Sequence, residues 1–262
     1  MQTSHSSRRG QWKYGRSAEV SVREKDDLDT FDEYGFTALH YAAQYNKVFV
    51  VNMLLDFGAK VAVAGVDGST PLHLAARFNS MDSVLSLLGS GTKVNITNCV
   101  TGSTALHEAA AFGNKEIVEH LLKNVKAEVN ASDFKAVTPL MHASGSGYSI
   151  ICLLLLQYGA QVDSCSAEGM TALHFASTNG DSYVTQQIVE AAIRHYFKKE
   201  PSTVATPESK PDFKQFINQC DLDGSTALHL AVQTGCKEVA LVLIQYGADV
   251  NCQNKSLQTR CT

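Results

Sequence analysis

Apolar residues recur along the chain in short blocks broken by Gly or Asn. Leu39, Ala42 and Ala43 form one block and Leu54 and Leu55 belong to the next. Later blocks pair Ile117-Val118 with Leu121-Leu122, and Val239 with Val242-Leu243. These are the three- and four-residue intervals of an amphipathic helix. Asn46, Asn79, Gly113, Gly147, Gly180 and Gly235 divide each pair of blocks, and only Asn and Gly occur there. These two residues enter the left-handed conformation most readily, as a helix needs when it turns back. The second block ends in Gly58, Gly91, Gly159 or Gly247, again a helix-stopping glycine. The pattern predicts two short helices joined by a tight turn, then an extended loop, over and over.

A T-[AP]-L-H tetrad opens the first helix at Thr37–His40, Thr70–His73, Thr104–His107, Thr171–His174 and Thr226–His229. A sixth copy, Thr138-Pro139-Leu140-Met141, has Met in the His position. Successive Thr residues lie 33, 34, 34, 33 and 55 apart. Gly35, Gly68, Gly102, Gly169 and Gly224 stand two residues before the Thr, with Ala136 the exception, as the tip of a β-turn requires. This period and tetrad resemble the ankyrin-repeat family over residues 32–254. The resemblance implies an all-α solenoid of helix-turn-helix units joined by β-turn loops. Six units are expected, at 34–66, 67–100, 101–134, 135–167, 168–222 and 223–254. No unit alone can bury its apolar face; stacked units bury a continuous core.

Several stretches depart from the pattern. Unit three carries an extra residue, and Val125 stands near where Gly is expected. The second helix of unit five runs on through Ile188, Ala191, Ala192 and Tyr196 into an insert of about 198–215. Residues 198–212 are rich in Pro, Ser, Thr, Glu and Lys and read as a mobile surface loop, after which Phe213, Phe216 and Ile217 return the chain to the solenoid. Thr206-Pro207 fits a proline-directed kinase, and equally a plain solvated loop. Residues 1–31 show no unit: 1–17 read as disordered, and Val20, Val22, Leu28 and Phe31 as a partial cap. After unit six comes a short tail, 255–262. The last helix holds Ala240, Leu241, Val242, Leu243 and Ile244 in succession, too apolar for an end facing water. The tail, a partner, self-association or further repeats of a longer array would each cover it.

The net charge of −4 argues against sequence-independent nucleic-acid binding, which needs clustered Lys and Arg. The longest apolar run, Ile150–Leu156, spans about 10 Å as a helix, against a hydrocarbon core of about 30 Å. The N-terminus lacks the apolar stretch of a secretory signal. Seven cysteines, odd in number and without a C-x-x-C pair, read as reduced thiols and not as a disulfide or metal framework. A cytoplasmic protein is expected, with the nucleus left open and no membrane contact.

No catalytic constellation emerges, and neither cofactor nor metal is expected. His40, His73, His107, His174 and His229 share one repeat position and would be spread along the stack, not gathered in a pocket. The family pattern implies that each imidazole bonds Thr37, Thr70, Thr104, Thr171 or Thr226 and the loop backbone. Ser144-Gly145-Ser146-Gly147 is not a nucleophile elbow, and Gly89-Ser90-Gly91 lacks the Lys-Ser/Thr of a phosphate loop. Asp221 and Asp223 suit a turn held by side-chain-to-backbone bonds.

The resemblance implies a protein partner docked on the concave surface of turn tips and first helices. The position before the helix-turn Gly or Asn, normally exposed on that side, reads Tyr45, Phe78, Phe112, Ser146, Asn179 and Thr234. Tyr41 lies one helical turn from Tyr45, with Arg77 and Glu108 nearby. Aromatic residues and Arg are enriched at interface hot spots. The competing reading packs these rings between adjacent units. Turn tips are expected at Tyr34, Phe36, Asp67, Ser69, Lys135 and Val137. The expected function is a non-catalytic scaffold or adaptor. The alternative is the N-terminal cytosolic module, or a short isoform, of a larger membrane protein: GFTALHYAA and DLDGSTALHLAVQTG are similar to segments of TRPA-type cation channels.

Overall fold

The computed structural model describes residues 28–197 and 211–255. Among the described residues there are thirteen helices and no extended strand, so the fold is an all-α repeat solenoid. The helices pair as α1(Ala38–Gln44) with α2(Val48–Asp56), α3(Pro71–Arg77) with α4(Met81–Gly89), and α5(Ala105–Ala111) with α6(Lys115–Lys123). Then come α7(Pro139–Ser146) with α8(Ser149–Gln157), and α9(Ala172–Asn179) with the long α10(Ser182–Phe197). After α11(Pro211–Ile217), the last pair is α12(Ala227–Gln233) with α13(Lys237–Gln245).

Each first helix starts the same way. Thr37 is extended, its N–H donates to His40 Nδ1 at 3.1 Å, and its hydroxyl lies 2.9 Å from the same nitrogen. A backbone N–H can only donate, so Nδ1 is unprotonated and the ring proton sits on Nε2. Nε2 then donates to Ser69 O of the next loop at 3.0 Å. His73, His107 and His174 repeat the bridge to Ser103 O, Val137 O and Ser225 O. One side chain thus caps its own helix and ties it to the following loop. At Met141 the sulfur accepts from Thr138 N–H at 3.4 Å but has no proton to offer the next loop.

The helix turns adopt positive φ as their residue types require: Asn46 and Asn79 at 52° and 58°, and Gly in the other four units. Asn46 does more than turn. Its Oδ1 accepts from Ser83 N–H in the first turn of α4, joining two units. In unit three Lys126 carries the positive φ of 53°, because the extra residue shifts the helix end past Val125.

Leu39, Leu72, Leu106, Leu140 and Leu173 form one buried row along the first helices. Ala42, Ala75 and Ala109 let those helices approach closely, and Leu87, Leu121, Leu155, Ile188 and Leu243 close the core from the second helices. Each first helix packs on the next, α1 on α3, α3 on α5, α5 on α7 and α7 on α9. Then α9 meets α12 directly, so the stack continues from unit five to unit six.

The insert differs from expectation at its end. Residues 211 and 212 belong to α11, not to a loop. Pro211 opens this helix, where a missing N–H costs nothing. Phe213, Phe216 and Ile217 are buried beneath it, with Phe213 against Phe197 and Phe216 against Tyr196. The remainder of the insert, with Thr206, lies outside the described residues. So do Val20 and Val22. Leu28 seats against the core, whereas Phe31 is exposed.

Candidate protein-binding surface

Three of the turn tips are each held by one aspartate side chain. Asp32 Oδ1 accepts from the N–H groups of Tyr34 and Phe36, both at 3.0 Å. Asp133 and Asp221 do the same in units four and six. The second Asp32 oxygen accepts from the Tyr41 hydroxyl at 2.7 Å. This bond, with the adjacent carboxylate charge, pushes the Tyr41 phenol up to about 12. The Phe36 N–H and the Tyr41 hydroxyl hold the Asp32 carboxyl below its usual range. Asp32 is therefore ionised and Tyr41 neutral through the physiological range.

Arg77, Glu108 and Phe112 come together across two units. Arg77 Nε donates to Glu108 Oε2 at 2.9 Å, Nη1 lies 3.8 Å from Asp67 Oδ2, and the guanidinium sits 5.6 Å from the centroid of the Phe112 ring. Phe78 and Tyr45 occupy the same repeat position as Phe112, so the three stand in a row. Their exposures are 60% for Tyr45, 50% for Phe78 and 52% for Phe112. Rings packed between units would be buried, as the Leu row is. Ser146, Asn179 and Thr234 continue the row as exposed polar residues.

The expected turn-tip residues flank Gly35, Gly68 and Ala136, but not all of them face solvent. Phe36 turns inward against His40 and Tyr41, and Ser69 and Val137 are buried, because the residues flanking the Thr must close over the helix start. The outward residues lie two before the tip Gly: Val66, Val100 and Phe134, then exposed Ala167, then Leu222. Sequence reasoning passed over this row, although its spacing repeats that of the Thr residues.

The five motif histidines stay apart, each engaged with its own Thr and all but His229 with the next loop. Burial lowers the pKa of His40, His73, His107 and His174. For His107 it falls to about 4, with the nearby His142 as a second cause. They hold a neutral, donating Nε2, which suits a fixed tie. Burial likewise pushes the Cys152 thiol up to about 11, so it is a core group and not a nucleophile. Among the described residues no three His, Cys, Asp or Glu side chains are placed to hold a metal ion, and no helix is long and apolar enough to cross a membrane.

Known proteins place this arrangement. The family model for ankyrin repeats in three copies matches residues 17–98, 64–133, 106–199 and 161–254. The E3 ubiquitin-protein ligase XBAT33 of Arabidopsis thaliana is 32% identical over 147 residues, 54% of this chain and 28% of that protein. A transient receptor potential cation channel subfamily A member 1 homolog of Caenorhabditis elegans is 28% identical over 131 residues, 50% of this chain and 9% of its own length. The mouse B-cell lymphoma 3 protein homolog is 33% identical over 131 residues, 50% of this chain and 25% of that one. In each case the match spans less than a third of the relative's length, so it reaches an array and not a whole protein. With matches running from residue 17 to residue 254, the chain belongs to the ankyrin-repeat family.

Proposed function

We propose that this chain is a non-catalytic cytoplasmic scaffold or adaptor. Its protein partner docks on the concave face of units one to three, over Tyr41, Tyr45, Arg77, Phe78, Glu108 and Phe112. Ankyrin repeats are protein-interaction modules, and one observation carries the finer reading: three aromatic rings, half or more exposed, in a row on a frame whose equivalent leucines are buried. Aromatic side chains bury a large area for little lost rotamer freedom, and Arg77 is already ordered by Glu108. The test is a crosslinking pull-down from cell extract. It compares the wild type with a Tyr45→Ala/Phe78→Ala/Phe112→Ala variant whose melting stays cooperative. A protein captured by the first and lost by the second supports the site; capture unchanged by the substitutions removes it.

A second reading is favoured by Val232, which is exposed although Ala43, Ala76, Ala110, Ser144 and Ser177 at the same repeat position are buried. Together with exposed Leu241 and Ile244 it forms an apolar end face, which suits the module of a larger protein such as a TRPA-like channel. A transcript that continues the array and adds apolar spans supports this reading. Concentration-dependent dimerisation of this chain, abolished by Val232→Glu, points to self-association in its place.

A further inference from the structure

The turn tips form a second feature that the aromatic row does not use. Val66 is 73% exposed, Val100 61%, Phe134 69% and Leu222 63%, and Ala167 stands between the last two. A large apolar side chain at the outermost point of four of six turns is not what water selects. The tips are also fixed. Val66 N–H donates to Gly35 O, Phe134 N–H to Thr101 O and Leu222 N–H to Glu168 O, each tip hydrogen-bonded to the one before. A Cβ on Gly35 would come within 2.6 Å of Val66 Cβ, so the valine lies over the preceding turn. The result is a notched apolar ridge, continuous across the insert because α12 packs directly on α9.

Its charge is net negative. Asp32, Glu33, Asp67, Glu168 and Asp223 border the ridge, against Lys135 and Lys255, whose ammonium donates to Leu222 O. Arg77 is shared between Asp67 and Glu108, one cation against two carboxylates, so the edge stays net negative. A negative, apolar edge repels acidic partners and steers basic ones.

The pitch of the ridge sets the partner's geometry. Packed helices lie about 8–10 Å apart, and the tips share that repeat. A polyproline-type segment rises about 3.1 Å per residue with three residues per turn, so one face returns about every 9 Å. A β-strand returns about every 6.6 Å and falls out of register within two tips.

We infer that the turn tips take a basic, extended peptide segment that presents an apolar side chain at every third position, with Lys or Arg between. This deepens the proposed function and rests on it only in treating the stack as a protein-binding surface.

The test uses fluorescence anisotropy with labelled synthetic peptides on the full chain. One probe repeats the triplet Leu-Lys-Pro, a second Leu-Glu-Pro, and a third is a helical Leu/Lys peptide of heptad pattern. The expected result is binding of the Lys triplet at least about tenfold tighter than the Glu triplet. That binding weakens as salt is raised. It is lost in a Val100→Asp/Phe134→Asp variant that melts like the wild type, and retained in the Tyr45→Ala/Phe78→Ala/Phe112→Ala variant. Equal binding of the Lys and Glu triplets, indifference to the tip substitutions, or a tighter hold on the helical probe each overturns the inference. If the tip variant still captures the cellular partner that the aromatic variant loses, the proposed function stands and the inference falls.

Discussion

Arg77 and Glu108 belong to successive units and meet with Nε 2.9 Å from Oε2. Their surroundings are unequal. Glu108 is only 7% exposed, whereas a quarter of the Arg77 side chain reaches water and Asp67 lies within 3.8 Å of it. Removing either partner breaks the same bond but strands different groups. Arg77→Ala leaves a buried carboxylate without its charged donor and is expected to cost about 2–3 kcal/mol. Glu108→Ala leaves a guanidinium with Asp67 and solvent and is expected to cost about 1 kcal/mol. Urea denaturation followed by circular dichroism separates them, and equal losses would contradict the asymmetry.

The buried histidines make the fold acid-sensitive. An unfolded His107 takes its proton near the ordinary histidine value of about 6.5, whereas the folded ring resists to about 4. Between these values the unfolded chain binds more protons, so stability falls as pH drops through the window and levels off below it. The loss from His107 alone is about 3 kcal/mol in total. His40, His73 and His174 shift in the same direction and add to it. His107→Gln keeps an acceptor for the Thr104 N–H and does not titrate. Its stability is expected to be lower than wild type at neutral pH but to change less on going to about pH 5. A variant with the full wild-type slope would show that another group drives it.

The repeat was readable because Thr37 and His40, with their counterparts in four further units, perform one task, and few residue types perform it. The helix turns were readable for the same reason: only Asn46, Asn79 and Gly take the left-handed conformation cheaply. Helix α11 was not, since seven residues after a proline offer too short a period to stand out from a loop. Lys126 was not, because an inserted residue moves the strained position off the expected register. At the surface, register placed Tyr45, Phe78 and Phe112 in one row but could not say whether the row was covered. Phe36 and Val66 show the remaining gap. Both lie beside a tip glycine, yet one turns in and one out, a choice set by how the turn closes over the next unit.

Ala136 and Ala167 explain each other. Ala136 holds a φ of 56° at a tip where five units have Gly. At Gly102 an added Cβ would come 2.6 Å from the Phe134 ring, and at Gly68 2.8 Å from the Val100 side chain. Ala136 is followed by Ala167, the smallest residue of the ridge, whose N–H donates to Lys135 O at 2.7 Å. Ala136→Gly relieves the left-handed strain and is expected to stabilise the fold by about 0.5–1 kcal/mol. Ala167→Val is expected to cost about 1 kcal/mol alone and close to nothing in the Ala136→Gly background. A double-mutant cycle by thermal melting measures the coupling; additive effects would sever the pair.

Met141 marks the unit whose tie is missing. Thr138 caps α7 as its counterparts do, and the Met141 sulfur accepts from the Thr138 N–H at 3.4 Å. Nothing from Met141 reaches the following loop, where His73 and His107 each donate to a carbonyl within about 3.1 Å. The carbonyl in that position of the next loop is Met170 O, which already accepts from Ser166 N–H and has a second lone pair free to accept another. Met141→His restores the bridge between α7 and that loop. It is expected to stabilise the fold by about 1 kcal/mol at neutral pH, the net value of one added hydrogen bond. The gain should fade as pH is lowered, since a buried imidazole must stay neutral to keep Nδ1 as an acceptor. Paired melts at neutral and acidic pH decide it. A gain that persists unchanged in acid would mean that packing, and not the restored hydrogen bond, produced the stabilisation.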